Sequence, residues 1–310
     1  MSELETMLPG SKEVPFSELG EMLASAAPRK KSAFRASTAT VVVVGPAARL
    51  VPVVSALAEL GDVRGVRAIL IAEGTAAKPV VRMSDTIVAI DGLSPAYLNN
   101  AVAAVRLPSL PALIWWRGGS RKALEDVTSL ADRLVLDTED PDELWPRATG
   151  FFEQTALTDL RWTRLTKWRA VLAHLFDLPQ VRAAIDGFRQ VKIVAGDQSA
   201  ARLFAAWLAS CLQWGSVETQ IQTVSSDDVS VLESVELIGS RVSIAVRRLR
   251  GRDCLEASID GEIADVRVSP IGHTTLSACI GEELAVRSRD LAFERALSAL
   301  VSSSGSRRSR

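Results

Sequence analysis

Residues 108–119, with the sequence PSLPALIWWRGG, contain the pattern that decides the fold. Two prolines frame a short apolar run that ends in two tryptophans, an arginine and two glycines. The run lies between two segments with helical periodicity, 97–105 and 122–131, and a short apolar run in that position is typical of a buried parallel strand. We therefore predict a strand over Ala112–Trp115. Its carboxyl end lies where open α/β sheets place a crevice for a ligand or partner.

The tryptophan pair at the end of this strand permits two interpretations. Side chains alternate along a strand, so Trp115 and Trp116 point to opposite faces of the sheet, and at least one ring is expected to pack in the core. Alternatively, Trp116 and Arg117 form part of a binding edge, because Trp and Arg dominate the energetics of interfaces. Gly118 and Gly119 would let the backbone turn sharply there.

Apolar runs alternate with helical segments on both sides of this stretch. The predicted strands are Thr38–Gly45, Val66–Ala72, Thr86–Ile90 and Arg133–Leu136, and the predicted helices are Ala47–Leu60, a segment starting at Ser94, Lys122–Asp132 and Leu144–Thr155. This alternation predicts a doubly wound parallel sheet with right-handed crossovers. Residues 37–156 are therefore expected to form a Rossmann-like α/β domain.

The glycine-rich fingerprint of a dinucleotide site is missing from this predicted domain. After the first long strand the chain reads Gly45-Pro46-Ala47 instead of G-x-G-x-x-G, and the chain has no P-loop motif. A nucleotide-type fold without its phosphate-binding glycines argues against a nucleotide enzyme.

The pattern changes in the second half of the chain. A strand at Gln190–Ala195 and a helix at Ser199–Gln213 come before a group of short, turn-separated strands. These are predicted at Thr219–Val224, Val231–Ile238, Arg241–Leu249, Cys254–Ile259, Glu262–Val268 and Thr274–Ile280. Alternating side chains from Arg241 onward indicate an antiparallel meander with one wet face. A last helix is predicted at Arg289–Val301, so residues 157–302 should form an α+β domain.

The two ends of the chain are expected to lie outside these domains. Residues 1–36 read as an N-terminal segment with a short helix at Ser17–Ala26 and a basic linker at 28–32, and residues 303–310 read as a disordered tail.

Composition argues against several classes of function. The 310 residues are 47% hydrophobic and 24% charged with a net charge of −1, which disfavours a general nucleic-acid binder. No apolar run reaches the roughly 18 residues that a membrane span needs, and the acidic N-terminus is unlike a secretory signal. Three dispersed cysteines fit a reducing cytoplasm, so we expect a cytoplasmic protein.

No group of residues predicts catalytic chemistry. Asp91 and Asp137 follow strands, where α/β enzymes often keep a functional acid, but a turn residue or cap fits both positions as well. The sequence contains no G-x-S-x-G, HExxH, SxxK or EF-hand motif, and its two histidines are far apart. We therefore predict no catalytic residue, no cofactor and no metal site.

A second unusual motif, DLRWTRLTKWR, spans residues 159–169. Trp162, Leu165 and Trp168 are spaced by three, and the pattern continues at helical steps beyond Trp168. The arginines of the motif alternate with the rings. Interleaved basic and aromatic residues can bind single-stranded nucleic acid. In a chain of nearly neutral charge, packing tryptophans with arginines at a domain or partner interface are the favoured interpretation.

Five segments together resemble the family of glucose-6-phosphate dehydrogenase assembly proteins, OpcA. They are PALIWWRG at 111–118, ADRLVLD at 131–137, the 159–169 motif, Phe176-Asp177, and AWLASCLQW at 206–214. The order of these segments matches over roughly residues 35–300. The sequence departs from the usual family pattern at Arg161, where the family has Asn, and at Lys167, where it has Pro.

The resemblance implies a non-catalytic protein that binds glucose-6-phosphate dehydrogenase, favours its active oligomer and raises its activity in the oxidative pentose phosphate pathway. The candidate partner-binding residues are Trp115, Trp116, Arg117, Gly118, Arg161, Arg164, Trp168 and Arg169. The alternative is an α/β enzyme that binds a sugar phosphate or nucleotide at the carboxyl ends of the strands, near Asp91 and Arg117.

Overall fold

A computed structural model of the chain describes residues 8, 11–15, 18, 38–75, 79–84, 87–214, 217–225, 231–249, 251–260, 265–272, 275–286 and 288–308. The predicted helix at Ser17–Ala26 and the basic linker at 28–32 lie wholly or almost wholly outside these residues. The described chain divides into two compact units. The first comprises residues 1–141, 150–159 and 275–289, and the second comprises 142–149, 160–274 and 290–310.

A mostly parallel sheet of eight strands organises the first unit. The strands are β1 (Lys12–Val14), β2 (Ala39–Gly45), β3 (Val66–Glu73), β4 (Val80–Met83), β5 (Ile87–Leu93), β6 (Ala112–Trp116), β7 (Arg133–Leu136) and β8 (Ala156–Asp159). They are arranged in the order β1-β4-β5-β3-β2-β6-β7-β8. The six strands from β5 to β8 in this order are parallel, and β1 and β4 are antiparallel additions at one edge. The predicted α/β, Rossmann-like fold class is confirmed.

Helices connect the parallel strands of the first unit. They are α1 (Ala47–Leu50), α2 (Val54–Arg64), α3 (Leu98–Val105) and α4 (Arg121–Thr128). A further helix of this unit, α10 (Leu276–Ala285), connects no parallel strands and packs on α2. The single helix predicted over Ala47–Leu60 is interrupted by a 3₁₀ turn at Val51–Val53. The interruption is explained by Pro52, which lies in that turn. Proline has no backbone N–H and so cannot donate the hydrogen bond that the interior of an α-helix requires.

The second unit is built on a six-stranded sheet. Its strands are β9 (Phe188–Ala195), β10 (Glu218–Thr223), β11 (Ser234–Gly239), β12 (Ser243–Leu249), β13 (Cys254–Asp260) and β14 (Asp265–Pro270), in the order β10-β9-β11-β12-β13-β14. The meander from β11 to β14 is antiparallel as predicted. In contrast, β10 pairs with β9 in parallel, because α9 (Gln198–Leu212) carries the chain back between them.

The remaining helices of the second unit are α5 (Trp145–Ala148), α6 (Leu160–Arg164), α7 (Thr166–Phe176), α8 (Pro179–Ala183) and α11 (Leu291–Arg308). The apolar face of α9 packs against α11 and the sheet through Leu203, Phe204 and Trp207, which are buried. Asp197 caps α9 by accepting a hydrogen bond from Ala200 N at 3.0 Å, a favourable start for a helix.

Three sequence predictions are corrected by this arrangement. The strand predicted at Thr274–Ile280 is wrong, because Thr275 caps α10 there through a hydrogen bond from Ala278 N. The helix predicted over Leu144–Thr155 is only α5 and a 3₁₀ turn, and it is followed by the unpredicted strand β8, which adds to β7. Residues 303–308, predicted to be disordered, continue α11.

The two units do not follow the single predicted boundary near residue 156. Segment 275–289 belongs to the first unit because α10 packs on α2, and segment 142–149 belongs to the second because α5 packs on α11. The division of the chain into functional domains stays a prediction. Every helix within the described residues is too short or too polar to cross a bilayer.

Candidate interaction surfaces

The carboxyl ends of β2 and β6 mark the point where the strand order in the sheet of the first unit reverses. From β2 the chain moves outward to β3 and β5, whereas β6, β7 and β8 follow on the other side of β2. Open α/β sheets place their ligands at such a point. Here Gly45 ends β2, and Arg117, directly after β6, donates its backbone N–H to Val44 O at 2.8 Å.

A buried ion pair lies at the carboxyl ends of β6 and β7. Arg117 Nη1 lies 2.9 Å from Asp137 Oδ2, which also accepts a hydrogen bond from Trp115 Nε1 at 3.1 Å. The Arg117 guanidinium lies 5.1 Å from the centroid of the Trp115 ring. Arg49 donates to the backbone oxygen of Asp137 at 2.9 Å. The charge of Arg117 is therefore compensated within the chain and is not presented to a ligand.

The loops that follow β2 and β6 are in close contact at the same place. A Cβ atom added to Gly45 would lie 3.1 Å from Arg117 Cβ, and one added to Gly118 would lie 3.3 Å from Pro46 Cδ. Dinucleotide-binding chains keep this region open so that a glycine-rich loop can approach a pyrophosphate. The close contact here agrees with the missing glycine fingerprint.

The two residues of the alternative enzyme site are not brought together. Asp91 lies on β5 and Arg117 follows β6, with β3 and β2 between those strands. Three strand spacings separate the two positions by roughly 14 Å. Among the described residues, no group of three or more His, Cys, Asp or Glu side chains is arranged to hold a metal ion.

Glu73, at the carboxyl end of β3, holds the loop that follows β6. Its Oε2 accepts a hydrogen bond from Ser120 N at 2.9 Å, and Gly119 approaches the carboxylate with a φ of +132°. Its Oε1 is buried and has no hydrogen-bond partner among the described residues. Burial raises the pKa of Glu73, and the Ser120 hydrogen bond opposes this in part.

The second predicted motif forms a cluster around Trp162 in the second unit. The Trp162 indole is buried and donates to Asp290 Oδ2 at 2.7 Å. The Arg169 guanidinium stacks 3.6 Å from its ring centroid, an attractive cation–π arrangement. Phe293 packs against the ring with centroids 5.7 Å apart. Because Asp290 also accepts hydrogen bonds from Ala292 N and Phe293 N, the motif fixes the start of α11.

Arg161, in the same motif, also forms its ion pair within the chain. Its Nε donates to Asp197 Oδ2 at 2.7 Å, and Asp197 is the residue that caps α9. Arg161 thus links α6 to the start of α9.

Burial separates the eight candidate partner-binding residues into two groups. Five are buried, namely Trp115, Trp116, Arg117, Arg161 and Trp168. Three are half-buried, namely Gly118, Arg164 and Arg169. Of the two interpretations of the tryptophan pair, core packing describes both rings, and the binding edge predicted at Trp116 and Arg117 is not on the surface of this chain. Partner contacts by the three half-buried residues stay a prediction.

The six-stranded sheet presents a surface that the sequence analysis did not select. Its core face is formed by residues that are at most 3% exposed: Val191, Ile193, Val235, Leu237, Ile244, Val246, Leu255, Ala257 and Ile259. On the other face, two cross-strand rows are all half-buried or exposed. They are Gln220–Lys192–Glu236–Ala245–Ser258–Val266 and Gln222–Val194–Ser234–Arg247–Glu256–Val268, which we call the open sheet face.

One edge of the open sheet face is apolar. Val266 and Val268 on β14 are 63% and 59% exposed. Further along the face, Arg247 Nη2 donates to Glu236 Oε1 at 2.6 Å, so that charges of both signs are present. The alternation of side chains in β12 predicted a wet face, but no local pattern shows whether such a face is covered by another part of the chain.

Comparison with known proteins agrees with the fold and the motifs. Residues 155–297 match the family described as the C-terminal domain of a glucose-6-phosphate dehydrogenase subunit. An OxPP cycle protein OpcA from Synechocystis sp. is 28% identical over 134 residues, which are 40% of this chain and 28% of that protein. The corresponding protein of Nostoc punctiforme is 24% identical over 199 residues, which are 61% of this chain and 38% of that protein.

The chain thus spans about a third of the length of the curated relatives it matches. Among solved structures, UDP-N-acetylglucosamine 3-dehydrogenase GnnA from Acidithiobacillus ferrooxidans is similar with a TM-score of 0.50 and 10% identity. That similarity covers 85% of this chain and 95% of the other, and it concerns the fold alone. The matched segment at residues 155–297 and the curated relatives agree with the resemblance of this chain to the OpcA family.

Proposed function

We propose that this chain is a non-catalytic subunit that binds glucose-6-phosphate dehydrogenase and raises its activity in the oxidative pentose phosphate pathway. The proposal is supported by the family of the matched segment, whose description names a subunit of that enzyme. It is also supported by the carboxyl edge of the first sheet, where Arg117 pairs with Asp137 instead of remaining available to a substrate.

The observation that carries the proposal is the open sheet face, which lies entirely within residues 155–297. Six strands at about 4.8 Å spacing make it about 24 Å wide, and six residues along each strand make it about 20 Å long. A face of that size with an apolar edge can form the centre of a protein interface, where apolar residues are enriched over charged ones. We assign the dehydrogenase as its occupant.

Activation follows if the chain binds one state of the dehydrogenase better than another. A partner shifts a conformational or oligomeric equilibrium only by its difference in affinity for the two states, and each 1.4 kcal/mol of preference changes their ratio about tenfold. The open sheet face can provide such a preference when the complementary surface of the dehydrogenase is complete only in its active oligomer.

The test is to mix the purified chain with the glucose-6-phosphate dehydrogenase of the same genome. Light scattering after gel filtration measures the mass of the complex, and initial rates measure the activity of the enzyme with and without the chain. We expect a complex of larger mass and a higher rate, with no turnover by the chain alone. Absence of a complex, or turnover of glucose 6-phosphate by the chain alone, contradicts the proposal.

A further inference from the structure

The first unit contains a cavity of about 430 Å³ at the amino ends of β2, β6 and β7, the edge opposite to the one described above. Strand residues Ala39, Ala112 and Arg133 border it, and the loop leading into β6 forms one wall. Its volume lies within the range of about 300–1,000 Å³ that is typical of pockets for small molecules.

The positive charges of two arginines that line the cavity are only weakly compensated by carboxylates. Within the part of the chain that the structure describes, Arg106 Nη2 lies 3.7 Å from Asp132 Oδ2, and the buried Arg106 Nε has no hydrogen-bond partner. Asp132 Oδ2 already accepts a hydrogen bond from Ala112 N at 2.7 Å. Arg64, which is exposed, donates from Nη1 to the backbone oxygen of Gly281 at 2.7 Å, a neutral partner.

The third arginine of the cavity forms a buried ion pair within the chain. Arg133 donates from Nε to Glu283 Oε2 at 2.6 Å and from Nη1 to Ser288 O at 3.2 Å, and both ion-pair side chains are buried. This pair is a neutral part of the wall. Asp132 is then the one carboxylate among the cavity-lining residues that is left opposite two guanidinium groups, so the cavity keeps an excess of positive charge.

Apolar side chains form the rest of the cavity, including those of Leu110, Pro111, Leu113 and Leu284. A guanidinium group is suited to carboxylate and phosphate oxygens because it offers several N–H donors in a planar fork. We propose that this cavity binds a small organic anion, with Arg106 and Arg64 holding its carboxylate or phosphate group and the apolar wall holding its body. The inference does not depend on the dehydrogenase as partner.

Three probes of similar shape test the inference on the full chain: phenyl phosphate, benzoate and neutral benzyl alcohol. Isothermal titration calorimetry in phosphate-free buffer is expected to show saturable binding of at least one anion and none of the alcohol. Stronger binding of phenyl phosphate assigns phosphate esters as the ligand class, and stronger binding of benzoate assigns carboxylates. No saturable binding of either anion, or equal binding of the alcohol, overturns the inference.

Variants place the bound anion. Arg106→Gln replaces the guanidinium group with a shorter, neutral amide, and it is expected to weaken binding about tenfold or more. Ser109→Glu adds a negative charge at an exposed position of the cavity wall and should weaken binding without affecting the fold. Arg182→Gln, at an exposed arginine of the second unit, is the matched control and should bind as the parent chain does. If both cavity variants bind like the control, the cavity is not the site.

Discussion

Nη1 of Arg117 lies 2.9 Å from Oδ2 of Asp137, with the two side chains 9% and 10% exposed. This pair joins the ends of two neighbouring parallel strands, at the edge where other α/β proteins bind ligands. A residue that reads in sequence as a candidate contact therefore serves to hold the sheet edge together. The partner contact that we propose is therefore assigned to another part of the chain.

Asp137→Asn should destabilise the protein by about 3 kcal/mol. Breaking a buried pair leaves an uncompensated charge, here that of Arg117, in a site with little access to water. The control is Asp177→Asn, which removes an exposed carboxylate 3.7 Å from Arg182 and should cost less than about 1 kcal/mol. Urea unfolding followed by circular dichroism measures both values. Equal costs for the two variants would contradict the structural role assigned to Arg117.

Gly119→Ala should cost about 1–3 kcal/mol. At a φ of +132° an L-residue is strained, and the added Cβ would lie 2.5 Å from Glu73 Oε2. Gly150→Ala is the control, because no atom lies within 4 Å of a Cβ at that position and its φ is not left-handed. Its effect on the free energy of unfolding should be within about 0.5 kcal/mol. A neutral Gly119→Ala would show that the loop after β6 has another conformation.

The raised pKa of Glu73 predicts a specific pH dependence. Since burial favours the protonated carboxyl, the folded chain holds this proton at pH values where the unfolded chain has lost it. Glu73 therefore lowers stability progressively as the pH rises from the ordinary glutamate pKa through the raised one. Glu73→Gln removes this titration and can still accept the Ser120 hydrogen bond. The variant should gain stability relative to the parent across that window, and a constant difference between them would refute the assignment.

Arg169→Met should destabilise the protein by about 1–2 kcal/mol, because it removes the stacked cation from the Trp162 ring and the hydrogen bonds from Arg169 to Trp162 O and Thr166 Oγ1. Lys167→Met, at an exposed position of the same helix, is the control and should be nearly neutral. Thermal unfolding of the two variants measures the difference. If both lower the melting temperature equally, the stacked arginine does not stabilise the motif.

Much of the fold could be predicted because the parallel strands are apolar on both faces. The run at Thr38–Gly45 is almost entirely apolar, which distinguishes it from a surface helix with one polar side. The strand at Arg133–Leu136 is found at the residues predicted. The strand prediction at Thr274–Ile280 was wrong because two adjacent threonines favour a strand on propensity alone. The side-chain oxygen of Thr275 instead caps a helix, and tertiary packing on α2 then decides the structure.

The candidate contacts were harder to predict because burial depends on residues distant in sequence. Arg117 is paired with Asp137, 20 positions away, and Trp162 with Asp290, 128 positions away. No local pattern shows either pairing. The open sheet face had the opposite difficulty, since its polar and apolar residues are ordinary individually and become a surface only when six strands are aligned.

The most direct test of the proposed function is the affinity of glucose-6-phosphate dehydrogenase for chains altered on the open sheet face. Val266→Glu with Val268→Glu adds two charges at exposed positions of β14, and Val63→Glu adds one at a matched valine that is 64% exposed on α2. Biolayer interferometry should show that the double variant binds at least tenfold more weakly, whereas Val63→Glu binds like the parent chain. Equal affinities for all three chains would contradict the assignment of this face as the docking surface.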